Sequence, residues 1–191
     1  SFCLLSSPAH SMFVTEHHYP FPLSVASVIT SERIVDRKSM NMAKYDSIFN
    51  AEEYAEEPLN EAEGLAAMVL IAALADNPKE LVSPDLFLDI LADFDLYAEY
   101  SEEDLLSMVD RLTMIVDDEG LGALFNAADE AIPDDLVPDA YAAAILTRID
   151  PDTGKISAER QVFLTELQAV LDIDDAEAAE VMAEIQKAFE D

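Results

Sequence analysis

The chain has 191 residues, 51% of them hydrophobic, and a formal net charge of −31. That length suits one ordinary domain plus a tail, and the apolar half is enough to build a core. A surface this negative repels nucleic-acid phosphates and anionic lipid heads and attracts cations and basic proteins.

Residues 1–41 read differently from the rest. Arg33, Arg37 and Lys38 balance Glu16, Glu32 and Asp36, so the whole net charge lies beyond residue 41. The only cysteine, Cys3, and all three histidines, His10, His17 and His18, lie here too. Pro8, Pro20 and Pro22 interrupt it, and neither a helical nor a strand period persists. No basic region precedes an apolar stretch as a signal peptide requires. Met40 or Met42 resembles a natural start, so residues 1–42 are expected to be a disordered or non-native extension. The acidic body lacks Cys and His, which excludes Cys-based catalysis, Ser–His–Asp catalysis and a conventional structural zinc site there. Residues 43–59 form an expected acidic arm. Its run Glu52-Glu53-Tyr54-Ala55-Glu56-Glu57 either docks on a basic partner or is a solvated linker.

From residue 60 the punctuation is helical. Asn60 with Glu63 forms a capping box, ahead of Leu65, Met68, Val69 and Ala72 on one face. Ser83-Pro84-Asp85 supplies a hydroxyl cap, a first-turn proline and an acid at the positive helix end. Ser101 caps a third helix carrying Leu105, Met108, Val109 and Leu112. A fourth is expected from about Glu119 to Ala131, ended by Pro133. A fifth runs from about Asp135 to Ile149, interrupted or bent near Pro138. Ser157 opens a sixth. Asp174 opens a seventh, with Val181, Ile185 and Phe189 facing inward. Met68, Met108, Met114 and Met182 mostly fall at core spacings, and no strand is expected. No apolar run approaches the roughly 20 residues needed to cross a membrane.

Two stretches match at an offset of 74 residues. Asp76 pairs with Asp150, Val82 with Ile156, Ser83 with Ser157, and Asp85 with Glu159. Each stretch follows an Ala/Leu-rich helix and enters an apolar one. The fold expected is all-α: a compact bundle of about seven helices built from two related helix–acidic loop–helix units.

These residues resemble the tellurite-resistance TerB family. Its pattern is an Ala-rich helix ending in Ala-Asp-Gly, a short turn, and an acid opening the next helix, used twice. Ala72-Ala73-Leu74-Ala75-Asp76 with Ser83-Pro84-Asp85 is similar to the first unit. Ala143-Ala144-Ile145-Leu146 through Asp150, Gly154, Ile156 and Glu159 is similar to the second. Asn77 stands where the family has glycine, and Pro151 follows the second Asp. The resemblance covers residues 60–191 and implies a stress-response protein with divalent-metal ligands at Asp76, Asp85, Asp150 and Glu159.

On their own chemistry, Asp150, Asp152 and Glu159 offer hard oxygen donors and Gly154 permits a tight turn, which suits Ca²⁺ or Mg²⁺. The lysines and arginines of the body, Lys44, Lys79, Arg111, Arg148, Lys155, Arg160 and Lys187, are scattered along the chain. No Gly-rich phosphate loop, activated nucleophile or basic substrate clamp is legible, so no enzyme is expected. The expectation is a cytoplasmic, non-enzymatic protein that binds a divalent cation through its acidic loops. The alternative is an acidic module for a basic protein partner without a metal site.

Overall fold

The computed structural model of the protein describes residues 44–79 and 82–189. The expected extension at residues 1–42, with Cys3 and the histidines, lies outside the described residues. Eight α-helices and two 3-10 turns are present among them, with no strand beyond a lone bridge between Asp150 and Lys155. None of the described helices is long and apolar enough to cross a membrane. The chain is all-α, as the periodicity implied.

Chain entry precedes the first capping box. A single helical turn, α1 (Asp46–Phe49), follows Tyr45. Tyr45 is fully buried and Ile48 nearly so, because Tyr45, Phe49, Phe125 and Phe163 pack their rings together at 5.0–5.4 Å. Tyr45 and Ile48, within the segment 43–59 expected as an acidic arm, therefore lie in the core. Its continuation is fastened as well. The Asn126 amide donates to the carbonyls of Ala51 (2.9 Å) and Glu53 (2.8 Å), and the Glu56 N–H donates to Glu119 (2.9 Å). Arg111 reaches Glu57 and Glu63. Gly122 makes this approach possible: a Cβ there would stand 2.3 Å from the Ala51 Cβ and 2.7 Å from the Ser47 carbonyl oxygen.

Helix α2 (Glu61–Leu74) opens with the expected reciprocal cap. The Glu63 N–H donates to Asn60 (2.9 Å), and the Asn60 N–H donates to Glu63 (3.0 Å). Its apolar face was expected to be one-sided. Instead Leu65 through Ala72 are all buried, the pattern of a helix enclosed on every side. Alanines at 66, 67 and 72 let neighbouring helices come close, while Leu65, Met68, Leu70 and Ile71 each contribute about 2 kcal/mol of burial.

The surrounding helices are α3 (Pro84–Ala92), α4 (Glu102–Glu119), α5 (Leu121–Ala131), α6 (Val137–Arg148), α7 (Ala158–Val170) and α8 (Asp175–Ala188). With α2 they are the seven expected helices. Against α2 pack α5, α6, α4 and, more lightly, α3. Gly120, at φ +92°, separates α4 from α5. The interruption expected near Pro138 is present. A 3-10 turn spans Asp134–Leu136, and Pro138 sits in the first turn of α6, where its missing N–H removes no helical bond. Met68 and Met108 are buried as expected, but Met114 is 64% exposed. Helix α8 is the most lightly held: only Ala178 is buried, Val181 and Ile185 are half-buried, and Phe189 is largely exposed.

Candidate functional site

The two related units meet through α2 and α6, the helices that precede the two loops. At their ends lies a cavity of about 510 Å³ lined by Asp76 and Ser83 of the first unit and Arg148, Ser157, Glu159 and Arg160 of the second. Ser83 and Ser157 are the N-cap residues of α3 and α7. The Arg160 N–H donates to the Ser157 hydroxyl at 3.3 Å, whereas the Ser83 side chain makes no capping bond. Both helices thus point their positive ends at the cavity.

Asp76 is the hub. Its Oδ1 accepts from Lys44 Nζ (2.5 Å) and from the Tyr45 hydroxyl (2.7 Å), and its Oδ2 accepts from Arg148 Nη1. Burial pushes the Asp76 carboxyl up, but the bonds from Lys44, Tyr45 and Arg148 outweigh it and draw the group down to about 2. The same Asp76 bond raises Lys44 above its ordinary value, against the opposing effect of burial. Lys44 Nζ also lies 3.6 Å from the exposed Glu159 carboxylate, bridging the two loops.

Arg148 is the one charged residue fully inside the described core, at 3% exposure. Its guanidinium carbon lies 4.4 Å from the centre of the Phe163 ring, a cation–π contact. Nη1 is spent on Asp76, while Nε and Nη2 have no hydrogen-bond partner among the described residues. Arg160 Nη1 donates to the Arg148 carbonyl at 3.0 Å, holding the two arginines side by side.

The five expected metal ligands do not form one shell. Asp76 and Glu159 share the cavity, with Lys44 standing between their carboxylates. Asp85 is exposed in the first turn of α3, and it is not among the side chains that line the cavity. Asp150 and Asp152 belong to a separate turn. There Asp150 Oδ1 accepts from the N–H groups of Asp152 and Thr153, both at 3.0 Å, and its own carbonyl accepts from the Gly154 N–H at 2.8 Å. The bonds from Thr153 hold the Asp150 carboxyl below its ordinary value. Gly154 adopts φ +61°, the left-handed turn its sequence position suggested, and Phe189 packs against it. Among the described residues no group of three or more Asp, Glu, His or Cys side chains is arranged to hold a metal ion.

Comparison with family models, curated proteins and solved structures finds no match for the chain. The cavity is accordingly read from its own chemistry. Three cations that are scattered in sequence, Lys44, Arg148 and Arg160, gather at it. The sequence held one signal for this. Arg148 lies four residues after Ala144 and seven after Tyr141, on the apolar face of α6, where an unpaired charge would be costly. Nothing in the local pattern marks Lys44 or Tyr45, because they reach Asp76 across more than thirty residues.

Proposed function

We propose that this chain is a non-enzymatic acidic helical module that docks a basic protein partner. The observation that supports the reading is the outer stripe of α4. Glu103, Asp110 and Asp117 recur every seven residues on one helix face, and all are exposed. Met114 lies between the last two and is the most exposed large apolar side chain of the described residues. A carboxylate stripe around a bare methionine suits a Lys/Arg-rich amphipathic helix, with charge steering it and the thioether giving contact area. The test is fluorescence anisotropy with a basic amphipathic peptide at low and moderate salt. Affinity should fall as salt rises, and a Glu103→Gln, Asp110→Asn, Asp117→Asn variant should bind roughly tenfold more weakly. Equal binding by the triple variant and the parent would sink the reading.

A second reading is a TerB-like, metal-responsive protein. It draws support from the meeting of the two loop-bearing units at one cavity and from Asp150 and Asp152 on one tight turn. Calorimetric titration with Ca²⁺ and Mg²⁺ tests it, beside Asp150→Asn, Glu159→Gln. Saturable binding near 1:1 that the double variant abolishes would favour this reading. Weak heat without saturation, unchanged in the variant, would remove it.

A further inference from the structure

Arg148 is buried, at 3% exposure, yet its Nε and Nη2 have no acceptor among the described residues. Buried guanidinium N–H groups left without partners are costly, and Arg148 is one of the side chains that line the cavity. Asp76 is the only carboxylate within reach among the described residues, and it is shared with Lys44 and Tyr45. Arg160 lines the same cavity with its side chain exposed. The N-terminus of α3 also faces it without a side-chain cap, because Ser83 makes no capping bond. Against two carboxylates, Asp76 and Glu159, stand three cations and two helix N-termini. In a chain with 41 acidic residues and ten lysines and arginines, this convergence is a local reversal of charge.

We propose that the cavity between the openings of α3 and α7 binds an oxyanion of phosphate type through Arg160 at its rim and Arg148 behind it. Arginine forks and uncapped helix N-termini are the groups that recognise such anions. The strongly negative remainder of the surface disfavours diffuse anion binding elsewhere, while screening confines its repulsion to about 8 Å at physiological salt and so leaves the cavity open to an anion. Glu159 opposes the occupant, which separates this proposal from the metal reading: removing its charge should help an anion and hurt a cation.

The experiment titrates the whole chain with inorganic phosphate, against sodium chloride at matched ionic strength, followed by calorimetry and by the ¹H–¹⁵N signal of the Arg148 Nε–H. Saturable binding is expected, with a shift of the Arg148 signal. Arg160→Gln, an exposed change, should weaken binding about tenfold through loss of a charge-assisted bond. Glu159→Gln should tighten it about threefold. Phosphate acting no differently from chloride would overturn the proposal, as would binding that Arg160→Gln leaves intact or Glu159→Gln weakens. Failure of the basic-peptide test leaves these outcomes untouched, because the α4 stripe and this cavity share no residue.

Discussion

Asp76 and Asp150 occupy equivalent positions in the two units, yet they do unlike work. Asp76 joins three distant donors, while Asp150 closes its own turn. Asp76→Asn leaves the buried Arg148 without a counter-charge. Breaking a fully buried pair costs about 3–5 kcal/mol. The Asp76 side chain is about a third open to water, so a loss of about 2 kcal/mol is expected in the unfolding free energy measured with urea. Glu159→Gln should change it by less than about 0.5 kcal/mol, because that side chain is 81% exposed. The Asp76 carboxyl is drawn from 3.8 to about 2 in the fold. Its contribution is therefore complete above about pH 4 and lost as pH falls toward 2. After discount for exposure this amounts to about 1 kcal/mol. Gly122→Ala is a second sharp test. Its methyl would collide with backbone and with Ala51, so the segment at residues 51–53 must lift from α5. A loss of about 2 kcal/mol and faster proteolysis after Glu52 or Glu53 are expected.

Helix starts differ in what their caps contribute. Asn60→Ala removes a reciprocal pair of hydrogen bonds at α2 and should cost about 1 kcal/mol. Ser83 is the hydroxyl residue expected to cap α3 but makes no side-chain cap, so Ser83→Ala should be nearly neutral in the same denaturation series. An equal loss at both positions would show that the Ser83 hydroxyl does cap α3 in solution. Helix α8 has both a good cap and little burial. Asp174 accepts from Ala176 and Glu177, yet only Ala178 is buried in the helix. Its amides should exchange with solvent well before those of α2, which is enclosed on all sides.

Charge governs the molecule as a whole. Burial raises the carboxyls of Glu166, Asp129 and Asp139, with Asp46 adding to Glu166, and Asp135 and Asp95 adding to Asp139. A raised carboxyl keeps its proton in the fold at a pH where the unfolded chain has released it. Stability from these groups is thus present at low pH and lost as pH rises past their unfolded values. Self-repulsion from the −31 net charge acts in the same direction. The thermal midpoint should rise on acidification from pH 7 to about 5 and fall again below about 4, where Asp76 takes up a proton in the unfolded chain but not yet in the fold. Added sodium chloride should raise the midpoint at pH 7 by screening the excess carboxylates. A midpoint that falls steadily from pH 7 downward would contradict this account.

The sequence made seven of the eight described helices legible, and several of them start by local chemistry. Asn60 with Glu63, Ser101 with Asp104, and Asp174 bond within three residues of themselves, so capping is legible without a fold. It also determined the division of charge between residues 1–41 and the acidic body. The tertiary structure alone decided which residues meet. That Tyr45 belongs to the core, that α2 is enclosed, that Lys44 and Arg148 meet at Asp76, and that Arg160 reaches the Arg148 carbonyl depend on helices packing across 12 to 72 positions of chain. Periodicity reports which face of a helix is apolar. It does not report how many neighbours cover that helix, or which distant side chain will supply a charged group with its partner.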